Sequence, residues 1–263
     1  MSDKKSVLIT GAGSGIGRAL AIESARLGYA PMIAGRSRAP LEETARLAGL
    51  DAAAIHLADV TRPEDRQRLA AATGGRLDVL INNAGCISVG HLADLDDAGL
   101  QQMADTNLVA PIALTREMLP ALRAANGRVV NIGSVFGDIA YPYFTAYSAM
   151  KFGLRGFSDA IRRELSGSGI GVTYIAPRAT RTAAESEFGA LVEPLQMTLD
   201  SAERVAAEAW AAIRAGKRES FPRGKERFFV KVQRLFPGLV DSSVGAQARA
   251  PETLAALQTM RRA

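Results

Sequence analysis

Short apolar runs rich in β-branched residues alternate with longer segments rich in Ala, Leu and Arg along most of the chain. The runs Val79–Ile81 and Val129–Ile132 are nearly continuous in apolar residues, a pattern typical of parallel strands that are covered on both faces. Regular alternation of strands and helices predicts a doubly wound sheet with right-handed crossovers. We therefore expect an α/β fold, a single domain over residues 1–263 with a parallel sheet of about seven strands and helices on both faces.

The apolar pattern predicts strands near residues 6–10, 31–35, 53–57, 78–82, 127–133, 170–176 and 218–221. Helical spacing predicts helices near residues 15–28, 40–48, 62–73, 97–120, 146–166 and 201–215. The alternation breaks over residues 177–200, after the sixth strand, and over an extension at residues 222–263. Long segments at the carboxyl ends of strands commonly shape ligand sites.

The composition narrows the class of protein. Hydrophobic residues make up 48% of the chain and charged residues 22%, as in ordinary globular domains. Cys86 is the single cysteine, which excludes an intramolecular disulfide, and with only His56 and His91 beside it we expect no metal site. The sequence has no secretory signal and no apolar run of about 18 residues, so we expect a soluble cytoplasmic enzyme. The net charge of +5 is spread along the chain, so we expect no nucleic-acid partner.

A glycine-rich segment, Thr10-Gly-Ala-Gly-Ser-Gly-Ile-Gly17, follows the first predicted strand and opens the first predicted helix. Glycine permits a tight turn and lets the backbone approach a phosphate closely, and the N-terminus of the following helix attracts the negative charge of a pyrophosphate. A glycine-rich loop alone can be just a tight turn. The strand–loop–helix context favours a dinucleotide site.

Tyr147 and Lys151 are four residues apart and so share one face of a predicted helix. Free tyrosine titrates near pH ~10, and a neighbouring ammonium favours the phenolate, so we expect the pair to carry acid–base chemistry near neutral pH. The same pair is common on solvated helix faces. Ser134 distinguishes this one, because it ends a predicted strand where open α/β sheets bind ligands. Its hydroxyl could stabilise charge on a substrate oxygen.

Together these motifs resemble the short-chain dehydrogenase/reductase family over residues 6–182. The glycine loop has the form Thr-Gly-x-x-x-Gly-x-Gly, Asp59-Val60 follows the third strand, and Asn82-Asn-Ala-Gly85 follows the fourth. Ser134 and Tyr147-Ser-Ala-Met-Lys151 complete the pattern. The resemblance implies a Rossmann fold and hydride transfer between a nicotinamide cofactor and a carbonyl/alcohol pair.

The resemblance also implies the site residues. The implied catalytic set is Asn107, Ser134, Tyr147 and Lys151, with Asn107 binding a water in a proton relay through Lys151. The implied cofactor contacts are Gly11, Ser14, Gly15, Ile16, Gly17, Asp59, Val60, Asn83, Ala84, Gly85, Tyr147, Lys151, Pro177 and Thr182. Arg178 and Thr180 depart from the family pattern, which usually has glycine and valine there, and Arg178 could reach substrate, cofactor phosphate or solvent.

The choice of cofactor is predicted from charge at the end of the second strand. An acidic residue there would bind the ribose 2′-hydroxyl of NAD(H) and repel a 2′-phosphate. Gly35 takes that position, and Arg36 and Ser37 follow it as donors that suit a phosphate. Arg36 and Arg38 could instead be solvated loop charges, but no acidic residue occurs from 33 to 41. We expect NADP(H) rather than NAD(H).

Residues 183–200 fall where the family carries a substrate lid. Its apolar side chains predict an apolar, acyl or lipid-like ketone or alcohol as substrate, with Tyr141, Tyr143 and Phe144 adding aromatic surface; the lid residues concerned are Phe188, Leu191, Val192, Leu195 and Met197. Alternatively these side chains bury themselves in the fold. We expect a ketoreductase, and the alternative is a catalytically idle NADP-binding sensor or scaffold.

The C-terminal extension carries an amphipathic stripe interrupted by Pro237, with the apolar residues Phe228, Phe229, Val232, Leu235, Phe236 and Leu239. The basic residues Lys225, Arg227, Lys231 and Arg234 lie among them. Packing against the body or a partner subunit is favoured over peripheral membrane contact. The resemblance implies a homodimer or homotetramer, and Gly153 and Gly156 would permit close packing of helices between subunits.

Overall fold

The computed structural model describes residues 4–222, 224 and 226–260. Within them the chain forms nine strands: β1 (Ser6–Thr10), β2 (Ala30–Gly35), β3 (Ile55–Leu57), β4 (Val79–Asn82), β5 (Arg128–Ile132), β6 (Gly171–Ile175), β7 (Thr180–Arg181), β8 (Asp200–Ser201) and β9 (Glu219–Ser220). The same residues form ten α-helices: α1 (Gly15–Arg26), α2 (Arg38–Ala48), α3 (Pro63–Ala72), α4 (Asp97–Ala104), α5 (Ala110–Ala125), α6 (Thr145–Glu164), α7 (Ala202–Arg214), α8 (Glu226–Leu235), α9 (Pro237–Ala248) and α10 (Pro251–Met260).

Seven strands form one parallel sheet in the order β3-β2-β1-β4-β5-β6-β9, and β7 and β8 pair separately. The strand order reverses beside β1, so the predicted doubly wound α/β fold is confirmed. Alternate residues explain the double cover: Val7 and Ile9 pack with α1 and α7, and Leu8 packs with α5 and α6 on the opposite face. Each fully buried Leu or Ile contributes roughly 1.5–3 kcal/mol, which is why the strands are apolar on both faces.

Two predicted elements differ in their bounds. The third strand is shorter than predicted, because Ala52–Ala54 form a 3₁₀ turn before β3. The helix predicted over 97–120 continues to Ala125 and contains one π-helical turn, Asp105–Val109, between α4 and α5. A π turn shifts the register by one residue, which apolar periodicity does not reveal.

The C-terminal extension folds into α8, α9 and α10, and Pro237 separates the first two as the sequence predicts. Lys225 lies outside the described residues. Phe228, Leu235, Phe236 and Leu239 of the apolar stripe stay 60–70% exposed, so the described part of the chain does not cover them, and packing against a partner subunit remains a prediction. The reason for their exposure is that α8 turns only Val230 fully inward. Within the described ranges no helix is both long and apolar enough to cross a membrane.

Candidate active site

The carboxyl ends of β1, β4, β5 and β6 open into a cleft of about 470 Å³. Open α/β sheets bind ligands at this edge, where the strand order reverses. The cleft brings the predicted residues together; those lining it are Gly11, Ser14, Gly15, Ile16, Gly17, Arg36, Ser37, Asp59, Val60, Asn83, Ala84, Gly85, Asn107, Ser134, Tyr147, Lys151, Pro177 and Thr182. Their roles remain proposals, which the following geometry supports.

The loop between β1 and α1 leaves no room for side chains at two of its glycines. Gly11 has φ +64°, and a Cβ there would lie 2.8 Å from the Ala84 Cα. A Cβ on Gly17 would lie 2.2 Å from the carbonyl oxygen of Gly11. The loop therefore carries no side chain at these two positions and packs closely against its neighbours. The N-terminus of α1 follows it, as binding a pyrophosphate requires.

Side chains around this loop fix its shape. The Thr10 hydroxyl accepts hydrogen bonds from the backbone N–H groups of Asn83 (3.0 Å) and Ala84 (3.1 Å). The Asn83 amide donates to the Thr10 carbonyl oxygen at 2.9 Å. Arg18 donates to the Gly13 carbonyl oxygen and to the Thr44 hydroxyl. Sequence reasoning missed Arg18 and Thr44, because their contacts cross between α1 and α2 and carry no local motif.

The remaining rim of the cleft suits a nucleotide. The Asp59 carboxylate accepts hydrogen bonds from the Thr61 backbone (2.9 Å) and hydroxyl (2.7 Å), which fixes this turn after β3. Arg36 and Ser37 lie exposed at the end of β2. Within the described residues Arg36 forms no ion pair, whereas Arg38 lies 3.6 Å from Glu42. The residues present therefore fit a dinucleotide, with Arg36 free to meet an anion.

Ser134 and Tyr147 meet in the cleft. Ser134 follows β5, and its hydroxyl accepts a hydrogen bond from the Phe136 backbone at 3.1 Å. Burial raises the pKa of Tyr147 to about 12, and a hydrogen bond with the Ser134 side chain opposes that rise. In the protein alone desolvation outweighs that hydrogen bond, and the lowering of the tyrosine pKa by Lys151 together with an oxidised nicotinamide remains a prediction.

Lys151 lies one helical turn beyond Tyr147 on α6, with its Nζ 5.5 Å from the centre of the phenol ring. The Nζ donates a hydrogen bond to the Ile132 carbonyl oxygen at 3.1 Å. Burial lowers the pKa of Lys151 to about 8. The ammonium is thus held at the cleft by β5, close to its neutral form at mildly alkaline pH.

Asn107 is fully buried in the π turn. Its Oδ1 accepts from the Cys86 backbone N–H at 3.2 Å, and its Nδ2 donates to the Cys86 carbonyl oxygen at 2.8 Å. A Cβ on Gly85 would lie 2.8 Å from that Oδ1. The side chain therefore fixes the turn after β4, and its part in a water relay remains a proposal. Cys86 itself lines the cleft.

Tyr174 supports the catalytic segment from beneath, and sequence reasoning missed it. Its hydroxyl donates to the Ser134 carbonyl oxygen (3.3 Å) and lies 3.4 Å from the Ser134 backbone N. The ring occupies the space that side chains at two glycines would need: a Cβ on Gly133 would lie 2.1 Å from its Cζ, and one on Gly137 2.5 Å from its hydroxyl oxygen. No sequence pattern links a tyrosine on β6 with glycines in the segment that follows β5.

Gly133→Ala is expected to destabilise the protein by about 1–3 kcal/mol, because the new methyl group overlaps the Tyr174 ring. Thermal unfolding measures the change. In the double variant with Tyr174→Val, the loss of unfolding free energy should be smaller than the sum of the losses in the two single variants. The control is Gly156→Ala on α6, where a Cβ would meet nothing within 4 Å. Equal losses at both glycines would contradict the overlap.

The Arg178 side chain lines the cleft and is paired with acidic residues, and only 10% of it is exposed to solvent. Its guanidinium donates to both Asp200 carboxylate oxygens at 2.8 Å and to the Glu226 Oε1 at 2.8 Å. These contacts raise the pKa of Arg178. The residue therefore connects the end of β6 to β8 and α8.

Some of the predicted lid residues are buried within the fold, and others line the cleft. Phe188, Leu191 and Leu195 are buried in a cluster with Phe144, which is the structural alternative. Phe188 and Met197 nevertheless also line the cleft. Residues 183–191 form two 3₁₀ turns, and a Cβ on Gly15 would lie 2.9 Å from the Thr182 Cγ2, so this segment starts directly over the glycine loop.

The family described as short chain dehydrogenase matches residues 5–191, and the chain belongs to this family of oxidoreductases. Among characterised relatives, 11-beta-hydroxysteroid dehydrogenase A of Sesamum indicum is 36% identical over 66% of this chain and 51% of its own length. Ketoacyl reductase HetN of a Nostoc strain is 38% identical over 66% of this chain and 62% of its own length. The chain thus spans between half and two thirds of these relatives.

Solved structures agree with the fold. A short-chain dehydrogenase from Streptomyces avermitilis has a TM-score of 0.79, 27% identity and coverage of 95% of this chain and all of that chain. A short-chain dehydrogenase from Sphingobium yanoikuyae in complex with NADPH has a TM-score of 0.75, 27% identity and coverage of 90% and 95%. A 3-ketoacyl-(acyl-carrier-protein) reductase from Brucella melitensis complexed with NADH, at 24% identity and TM-score 0.75 over 82% and 94%, shares the fold.

Proposed function

We propose that this protein is an NADP(H)-dependent ketoreductase that acts on an apolar carbonyl compound. The observation that carries the proposal is the meeting of Ser134, Tyr147 and Lys151 beside the bare glycine loop in one cleft. The bound nicotinamide supplies the hydride in reduction and accepts it in the reverse reaction. The names of the ketoacyl reductase and hydroxysteroid dehydrogenase relatives fit a carbonyl on an apolar molecule.

The protein groups divide the remaining work. The Ser134 hydroxyl holds the carbonyl oxygen and stabilises the negative charge that develops there. The Tyr147 phenol, kept protonated by burial, donates its proton to that oxygen, which favours the direction of reduction. Lys151 then lies close enough to supply positive charge as the phenolate forms. Asn107 holds the turn at Cys86 that closes the cleft beside Lys151.

This complete acid–base set argues against the idle sensor or scaffold, since binding alone needs no buried phenol and ammonium. The proposal is tested by mixing the protein with NADPH and ketones of increasing apolar area and following cofactor oxidation. NADPH binding without oxidation on any ketone would overturn it. The homodimer or homotetramer and the cytoplasmic location remain predictions.

Arg36→Asp is expected to lower the preference for NADPH over NADH by about tenfold or more, because a charge-assisted hydrogen bond contributes roughly 1.5–3 kcal/mol. Fluorescence titration of both cofactors measures the ratio of dissociation constants. Arg38→Asp is the matched control, since Arg38 is two residues away and already paired with Glu42. If the two variants shift the ratio equally, general surface charge and not Arg36 sets the preference.

A further inference from the structure

A second cavity of about 470 Å³ lies beside the catalytic cleft, under α8 and α9. We call it the C-terminal chamber. One wall is the segment that follows β5, and the opposite wall is the two helices; its apolar lining includes Val135, Ile139, Phe228, Val232, Val240 and Val244. An apolar cavity of this size accommodates part of a small organic ligand.

The chamber adjoins the catalytic cleft. Val135, Phe136, Ala179 and Met197 line both cavities. Val135 follows Ser134 directly in the sequence, so the chamber begins one residue from the hydroxyl that would hold the carbonyl oxygen. A ketone bound at Ser134 would therefore lie next to the apolar residues that separate the catalytic cleft from the chamber.

The charged groups at or near the chamber walls form ion pairs, although the Oε2 of Glu226 is buried without a hydrogen-bond partner among the described residues. Arg178 lines both cavities but is neutralised by Asp200 and Glu226. Asp138, whose side chain is 1% exposed, pairs with Arg155 at 3.1 Å and with Arg234 of α8 at 2.9 Å. Such pairs attract an additional charged group weakly, because their charges are already compensated. A phosphate or carboxylate therefore gains little here.

Apolar surface at the chamber lacks cover. Phe228 and Phe229 line it and are 64% and 43% exposed. Exposed aromatic side chains beside an apolar cavity are typical of ligand-binding grooves, because a ligand that covers them removes apolar area from water. The helices that form this wall lie beyond residue 191, where the family match ends.

We propose that the C-terminal chamber binds the extended aliphatic tail of the substrate, so that this protein acts on long-chain ketones. The inference rests on the proposed ketoreductase function and adds the part of the substrate that is recognised. In this arrangement the carbonyl carbon lies beside Ser134, and the aliphatic tail extends past Val135 into the chamber. Each methylene buried in the chamber strengthens binding, and the tail length that fits limits the substrate range.

The test is the reduction of straight-chain methyl ketones from butanone to dodecanone with NADPH. Burial of one methylene is worth about a fourfold gain in kcat/KM, so the value should climb with each carbon until the chamber is full. Val232→Phe narrows the chamber, and Leu235→Phe is the matched control, since Leu235 is on the same helix but 70% exposed and outside the chamber lining. The readout is the ratio of long-chain to short-chain kcat/KM within each protein.

The expected result is a ratio that falls tenfold or more in Val232→Phe and stays at the wild-type value in Leu235→Phe. A flat series, with butanone and dodecanone reduced equally well, would overturn the chamber while leaving the ketoreductase proposal intact. If no ketone is reduced, the proposed function fails, and displacement of Nile red by dodecanone decides the chamber separately. Displacement from wild type and Leu235→Phe but not Val232→Phe would support it, and no displacement from wild type would overturn it.

Discussion

Tyr147→Phe is expected to lower kcat for ketone reduction by 10²–10⁴-fold, the usual contribution of a positioned general acid. Phenylalanine keeps the ring that is buried beside Lys151 but has no proton to give. NADPH binding should change less than threefold, because the phenol proton is needed by the carbonyl oxygen and the glycine loop is untouched. Steady-state kinetics and fluorescence titration measure the two effects on one preparation.

The control for this substitution is Tyr29→Phe, which removes a phenol hydroxyl beside Trp210, far from the cleft. Its kcat should match that of the wild-type protein. If Tyr147→Phe also retained full turnover, another group would have to supply the proton, and the acid–base assignment would be wrong.

Lys151→Met is expected to lower kcat by about 10²-fold or more while raising the melting temperature at pH 7. The gain in stability follows from the pKa of Lys151, which burial lowers to about 8 from 10.5. Keeping the buried ammonium charged costs on the order of 3 kcal/mol of stability below pH 8, and the methionine variant avoids this cost. The variant also loses the hydrogen bond to Ile132, which reduces its gain by about 1 kcal/mol. The melting temperature should rise by roughly 4–8 °C.

The sign of the pH dependence provides the check. Between pH 8 and 10.5 the unfolded chain binds more protons at this lysine than the folded protein, so wild-type stability at this site rises with pH. The stability advantage of Lys151→Met should therefore be largest at or below pH 8 and shrink toward pH 10.5. An advantage that stays constant across this range would show that the lysine is not buried as an ammonium.

The sequence was sufficient to predict the sheet because its strands are buried on both faces, so the centres of β1 and β4 are continuous apolar runs. The glycine loop and the Ser134–Tyr147–Lys151 spacing could be recognised for a related reason. Each is a pattern within a short stretch of the sequence. The π turn at Asn107 was not predicted, because it is a single turn inside a segment that the sequence predicted as one continuous helix.

Tyr174 and Arg178 show the other limit. The glycines that Tyr174 packs against lie in the segment that follows β5, and the partners of Arg178 lie on β8 and α8, 22 and 48 residues away. Burial raises the pKa of Tyr147 in the protein alone, and burial depends on the whole fold and not on residue type. Contacts and desolvation of this kind require the three-dimensional arrangement.

The ion pairs of α8 have a consequence for chimeras. Arg178–Glu226 and Asp138–Arg234 cross from the sheet to the C-terminal helices, so exchanging the segment after residue 222 for that of another family member separates buried charges from their partners. A graft that keeps acidic and basic residues at the two helix positions preserves both pairs, and one that replaces them leaves Asp138 with Arg155 alone. The C-terminal segment can thus be exchanged only if the new segment keeps the charges that pair with Arg178 and Asp138.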